Sequence, residues 1–383
     1  MYCVKTLPQP QSHFEGNNSY DVIVEEPPKN EKKIKSKEIP KSIVYETIWS
    51  PNSSALHVAV IFGGLSAERS LSLKTANHVI QTLKDLGYTI TPIDMNRDIS
   101  YVLQTLQPDV VFNALHGTYG HDGCMAGILE VLEIPYTHCG IFGGSIATLK
   151  HKTLELATLH GIKSAKRVVV RKADRISVEP MPRPFVIKPI SEGWSHGVFA
   201  VFDEDVFDIS SYDYPYGWSH GVFAVFDEDT FDISSYDYPY GDILVEEYLK
   251  GIEIDVAIFN DKAVGTMESV ITDRAVLDHE AKVNGLADYF FPARLSEIEL
   301  QKVMELGEIV HKALDIGCIS RPGFIYKKEE GLDGFYLLEI NTNPGLVAGD
   351  SFYPQILDNA GISYQQLIDG MIKHALKKAE ILL

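Results

Sequence analysis

The chain predicts an α/β protein that opens on a Rossmann-like parallel sheet, and three stretches carry that prediction. Residues 57–62 form a strand-like run that stops at Gly63 and Gly64, as a buried strand does when it ends in a turn. Residues 66–86 then place Leu71, Val79, Ile80 and Leu83 at helical spacing, and 89–95 reads as a second strand. Strand, Gly-Gly, helix, strand is one βαβ unit of an open sheet, whose ligands lie beyond the strand ends. Far downstream, 335–338 is a four-residue strand of bulky residues running into Glu339, Asn341 and an Asn-Pro-Gly turn.

Composition narrows the function classes. With 383 residues the chain can fold as two or three domains with large cores. A formal charge of −19 argues against nucleic acid and anionic membrane as partners, since both need a basic face. No apolar run reaches the roughly 18 residues of a membrane span, and the opening residues lack a signal-peptide pattern. Cys3, Cys124, Cys139 and Cys318 show no C-x-x-C spacing and read as reduced thiols of a cytoplasmic protein.

Four segments are expected. Residues 1–55 are a poorly ordered extension, because 27–35 is polar, charged and aperiodic. Residues 56–141 form the N-terminal α/β substrate domain, 142–246 a central lid domain, and 247–383 a C-terminal domain with a metal site. Inside the central segment, 193–216 is repeated as 217–240, with Val206 against Thr230 the only difference. Two copies do not make a solenoid. The first copy is expected to form the loop, because it joins directly to the strand that ends near Lys188, and the second to bulge from the domain edge.

Chemistry-bearing residues fall at the strand ends. Glu339 and Asn341, two apart on a strand, share one face and offer the hard oxygen donors that Mg²⁺ takes together with phosphates. Glu68 opens a helix beside a strand end, either facing the ligand crevice or capping the helix and pairing with Arg69. His116 starts a Gly-rich turn after the strand 110–115, where it either faces ligand or serves only the turn. Lys150 lies on a helix, and Lys188 ends a strand beside a Gly-containing loop, a pairing suited to polyphosphate.

Taken in order, these stretches resemble the ATP-grasp superfamily, and within it the D-alanine–D-alanine ligases. The carrying residues are Gly63 to Arg69, the run His116, Gly117, Gly120, Asp122, Gly123, the lysines, 243–249, and Glu339 to Gly345. The resemblance spans roughly 57–383. It implies an ATP-grasp fold and an ATP-dependent enzyme that joins two D-alanines through an acyl phosphate for peptidoglycan synthesis. ATP and Mg²⁺ (or Mn²⁺) are then the implied cofactors, D-alanine and ATP the small-molecule partners, and a homodimer the implied assembly.

The resemblance also implies roles. Glu68 holds the ammonium of the first D-alanine, and His116 lies near the reacting acyl phosphate. Lys150 and Lys188 flank the nucleotide, Glu246 and the backbone at Leu249 hold adenine, and Glu253 the ribose. Lys282 lies close to the phosphates. Arg321 and the Gly345 N–H stabilise developing charge, and Ser351 receives the second D-alanine's carboxylate. Ser195 stands in the Gly-rich loop, and Glu339 with Asn341 binds the metal.

Four positions depart from the family pattern. His121 replaces a Glu, Trp194 a loop serine, Val283 a tyrosine, and Gly323 an aspartate that serves as a metal ligand. With that aspartate lost, either catalysis is slow or another carboxylate substitutes. Three readings stay open: the D-alanine ligase, a catalytically impaired ATP-grasp protein that binds nucleotide, and an ATP-grasp ligase with another acceptor.

Overall fold

A computed structural model describes residues 40–52, 54–171, 180–191, 198–202, 242–271 and 287–382. Ser195, Lys282, Trp194, Val283 and the second repeat copy lie outside the described residues. Among those described, no helix is long and apolar enough to cross a membrane.

Three sheets carry the fold. The first has strand order β1-β3-β2-β4, from Ile43–Val44, Thr89–Met95, His57–Gly63 and Val110–Asn113. β2 pairs in parallel with both β3 and β4. Its Val58 to Ile61 are wholly buried, the mark of a central parallel strand covered on both faces. Helix α1 (Arg69–Asp85) follows β2, buries Ala76, Val79 and Leu83, and starts three residues later than its periodicity suggests.

Residues 40–52 correct the expected extension at its C-terminal end. β1 pairs antiparallel with β3, and Ile48 bridges to Ile90. Ser42 ties the segment down, donating its N–H (2.6 Å) and hydroxyl (2.7 Å) to Asp98, just ahead of α2 (Ile99–Leu106). The exposed edge of β3 supplied backbone partners that the local sequence does not announce.

The second sheet runs β5-β8-β6-β7, from Arg167–Val170, Ile243–Glu247, Phe185–Pro189 and Phe199–Val201. β7 comes from the first repeat copy and pairs directly with β6. The third sheet is antiparallel, β11-β10-β9-β12-β13, from Ala287–Phe290, Lys262–Ile271, Ile252–Phe259, Ile319–Tyr326 and Phe335–Asn341. Its strands alternate. Ile254, Val256, Ile258, Phe324 and Ile340 enter one core together with Leu154 and Ala157 of α5 (Lys150–Leu159). Glu253, Asp255, Arg321, Glu339 and Asn341 take the opposite face.

A register shift makes this possible. Gly323 pairs with Glu339, but Phe324 pairs with Leu337, so Leu338 is extra. Such a bulge lets both Leu337 and Ile340 reach the core while Glu339 and Asn341 turn to the polar face. The last helix, α8 (Tyr364–Leu382), returns to the first sheet: α6 (Glu297–Ala313) and α7 (Phe352–Asn359) precede it, and Leu367, Ile368 and Met371 share a core with Val58, Val60 and Val79.

Candidate functional site

The turn after β2 begins the site. Gly63 and Gly64 have φ of +72° and +77°, left-handed values that favour glycine. A Cβ on Gly63 would stand 2.1 Å from Asp94 Oδ1, because the Arg69–Asp94 pair crosses it. Arg69 donates to both carboxylate oxygens of Asp94, at 2.7 and 2.5 Å. Arg69 thus pairs with Asp94, while Glu68 precedes α1 and makes no side-chain cap bond. Its carboxylate points along the next loop instead, with Oε1 3.3 Å from where a Cβ on Gly117 would stand.

Ser66 joins that turn to the His116 loop by donating to the His116 carbonyl at 2.6 Å. His116 is buried and lies 3.1 Å from Thr75 Oγ1. Burial, helped by the nearby His121 and His138, pushes its pKa down to about 3. The imidazole is therefore neutral near pH 7 and can contribute hydrogen bonds but no positive charge.

The same loop meets the C-terminal motif. Asn343 donates to the Leu115 carbonyl at 2.6 Å, bridging positions 228 residues apart. Two residues on, Gly345 backs onto Ser351, whose Oγ lies 2.7 Å from a Cβ built on the glycine. Ser351 precedes α7 and accepts from the Val347 N–H at 3.1 Å. Glu68, His116, Gly345 and Ser351 thus belong to one run of contacting segments.

Upstream on β13, Asn341 donates to Glu339 Oε1 at 3.3 Å, so the two share a face. Arg321 is paired across from Asn341 and donates to Asp255 Oδ2 at 2.7 Å. Asp255 is almost wholly buried, with 7 % of its side chain exposed. Burial, together with the charges of Glu253 and Asp255, raises the Tyr289 pKa, which puts that phenol beside the same polar face. Its buried oxygen has no hydrogen-bond partner among the described residues.

The lysines stand at the second sheet. Lys188 lies inside β6 rather than at its end, on the same face as Glu246 of β8, and the two form a buried ion pair. Both are under a tenth exposed. Glu246 Oε1 has no hydrogen-bond partner among the described residues. Lys150 opens α5, and its N–H donates to the Ile190 carbonyl at 3.2 Å, two residues past Lys188. Burial lowers the His121 pKa, Asp122 opposes the shift and the Lys150 charge adds to it. Leu249 is half-buried just past β8, and Glu253 half-buried in β9.

The arrangement fits a nucleotide and a divalent cation on its own terms. Glu246 Oε1 is a buried acceptor awaiting a donor, which an amine such as adenine's supplies. Glu339, Asn341 and Asp255 are hard oxygen donors, the set Mg²⁺ takes with phosphates. Among the described residues no three His, Cys, Asp or Glu side chains form a ready cage, and one of these three donors is an amide. Reading the motifs missed Asp255, Asn343 and Ser66. Asp255 had a signal, since Ile252–Phe259 alternates and puts it on the face of Glu253. Asn343 and Ser66 act through contacts no local pattern reports.

The family model described as "D-ala D-ala ligase C-terminus" matches residues 219–373. The D-alanine–D-alanine ligase of Rickettsia canadensis (strain McKiel) is 38% identical over 325 residues, covering 84% of each chain. That of Rickettsia typhi (strain Wilmington) is 39% identical over 320 residues, 83% of this chain and 92% of the relative. The crystal structure of the D-alanine–D-alanine ligase of Bacillus anthracis complexed with ATP superposes with a TM-score of 0.68 and 25% identity, over 86% of this chain and all of that one.

Proposed function

The chain belongs to the D-alanine–D-alanine ligase family, and on that premise we propose that it joins two D-alanines at the expense of ATP, through an acyl phosphate, for peptidoglycan synthesis. The observation that carries this reading is the Asn343–Leu115 bond. It sets the loop turns of the first sheet against the end of the β13 donor strand, so two amino acids and a phosphoryl group can share one site.

In this reading Glu68 takes the ammonium of the first D-alanine, whose carboxylate attacks the γ-phosphorus as the bond to the bridging oxygen breaks and ADP leaves. Lys150 and Lys188 balance charge on the phosphates, as in other phosphoryl transfers. Glu246 accepts from the adenine amine, the Leu249 backbone pairs the ring edge, and Glu253 accepts from the ribose hydroxyls. Glu339 and Asn341 hold a Mg²⁺ or Mn²⁺ ion, which when bound neutralises phosphate oxygens. The amine of the second D-alanine attacks the acyl carbonyl while Ser351 holds its carboxylate. Arg321 and the Gly345 N–H stabilise the oxyanion, which collapses as phosphate leaves and takes up the proton that the amine gives up in becoming an amide. Neutral His116 orients the acyl phosphate. Ser195 and Lys282, which lie outside the described residues, keep the roles the family resemblance implies: Ser195 catalytic and Lys282 close to the phosphates. The reaction is assigned to the cytoplasm, where ATP and free D-alanine meet, and to a homodimer.

The test is ADP formation with ATP and Mg²⁺, with and without D-alanine, and mass analysis of the product. D-Alanine-dependent ADP with a stoichiometric dipeptide supports the proposal. ADP that ignores D-alanine, or nucleotide binding with no turnover, overturns it.

A further inference from the structure

The arm ahead of the first sheet reaches the turn that carries Glu68. β1 pairs antiparallel with β3, so Ile43 lies beside Asp94 and Val44 beside Ile93. Asp94 is in turn paired with Phe62 of β2. Tyr45 comes next in the arm, and its N–H donates to the Pro92 carbonyl at 3.0 Å. Its ring stacks on Phe62, with centroids 6.0 Å apart and planes inclined by 25°. That spacing lies in the range where paired aromatic rings attract. Phe62 is buried, and it is the last residue of β2 with a side chain before Gly63 and Gly64.

Two consecutive glycines at positive φ have no side chains to pack and lose much freedom on folding, so this turn needs support from its neighbours. Ser72 Oγ accepts from the Gly63 N–H at 2.8 Å, and Arg69 donates to the Gly64 carbonyl at 3.2 Å while it grips Asp94. Ser66 Oγ accepts from the Glu68 N–H at 3.1 Å and donates to the His116 carbonyl. Tyr45 adds a support from the arm. Ser42 extends the same strap: besides its two bonds to Asp98, its hydroxyl accepts from the Asn96 N–H at 2.9 Å. The arm thus ties down both connections that leave the C-terminal ends of β2 and β3. Ligands of an open parallel sheet lie at those ends.

We propose that Tyr45 is a positioning residue for the first amino-acid subsite: through Phe62 it fixes the Gly63–Gly64 turn, and with it the placement of Glu68. The ligand served is the ammonium of a small α-amino acid, which Glu68 takes in the ligase reading that this inference rests on. A carboxylate on a loosened turn meets that cation over a wider range of distances, so affinity for the amino acid falls first.

Two measurements on the full chain test this. Tyr45 is 47% exposed on a peripheral strand, so Tyr45→Ala leaves the core intact. Hydrogen exchange read by mass spectrometry compares the amides of 63–69 with those of 335–341. Tyr45→Ala is expected to speed exchange in 63–69 by about fivefold or more and to leave 335–341 unchanged. Steady-state ADP formation is then followed with D-alanine and ATP varied in turn. Tyr45→Ala is expected to raise KM for the first D-alanine roughly tenfold, part of the loss that misplacement by about 1 Å produces, with KM for ATP within about twofold of the parent. Tyr45→Phe keeps the ring and is expected to match the parent in both measurements. Unchanged exchange in 63–69 overturns the proposal. So does an unchanged KM for D-alanine, a KM for ATP that rises in step with it, or a Tyr45→Phe variant as impaired as Tyr45→Ala. Failure of the ligase reading shows separately, as a parent chain that forms no D-alanine-dependent ADP. Exchange in 63–69 then decides alone: faster exchange in Tyr45→Ala supports the hold on the turn, and unchanged exchange refutes it.

Discussion

Lys188 and Glu246 show how much one residue can carry. Each is buried, and each neutralises the other. Removing one partner leaves an uncompensated charge, a loss of about 3 kcal/mol or more. Lys188→Met should therefore lower the urea midpoint strongly, whereas Lys188→Met with Glu246→Leu should recover much of the stability but not nucleotide affinity. Calorimetric titration with an ATP analogue separates the two effects. His138 makes a second case. Burial pushes its pKa, like that of His116, down to about 3. Unfolded, both titrate near 6.5. As pH falls through 6.5 the unfolded chain takes up protons first, so stability present above that pH drains away toward pH 3. The slope is about 1.4 kcal/mol per pH unit for each histidine. Urea midpoints from pH 7 to 4.5 should trace this loss, and His138→Asn should make the slope shallower.

At the scale of an element, β13 and the turn after it are decisive. The bulge at Leu338 re-aims Glu339 and Asn341 without taking Leu337 or Ile340 from the core. The Asn343 side chain then fastens the turn to Leu115. Asn343→Leu leaves a buried carbonyl without its donor, at a cost of about 1–3 kcal/mol. It also loosens the seam between Glu68 and Gly345. The expected result is a fall of roughly 10²-fold in kcat/KM, the size of loss that misplacement by about 1 Å produces. A steady-state assay with D-alanine reads it, and unchanged kinetics would show that the seam is held elsewhere.

At the scale of the molecule, two features invite excision. Residues 40–52 cover the β3 edge through β1, Ile48 and the Ser42–Asp98 bonds. A chain beginning at residue 54 should melt lower than one beginning at residue 40, by roughly 1–2 °C for each kcal/mol those contacts contribute, given an unfolding entropy of about 2.1 cal/mol/K per residue. Differential scanning calorimetry on the two truncations measures the difference. The repeat allows a cleaner cut. Deleting 193–216 or 217–240 yields chains that differ only in Val or Thr at one place. Both should retain D-alanine-dependent ADP formation at matching rates, because one copy suffices to supply β7 and the loop before it. Loss of activity in both would assign the second copy a role of its own.

Strand and helix order in this chain was settled by local pattern. Thr89–Met95 is the strand its residues announce, and the Glu339–Asn341 spacing sets both side chains on one face because a strand repeats every two residues. Some motif residues, Glu68, His116 and Gly345 among them, could be listed because they sit in or beside turns, whereas Lys188 and Arg321 lie inside strands and Lys150 opens a helix. Partnerships were decided elsewhere. That Arg69 joins Asp94, that residues 40–52 dock on β3, and that Asp255 meets Arg321 all depend on strand neighbours distant in the chain. A residue's own segment determines which way its side chain points, but what it meets there is determined by registry between strands, which only the folded chain possesses.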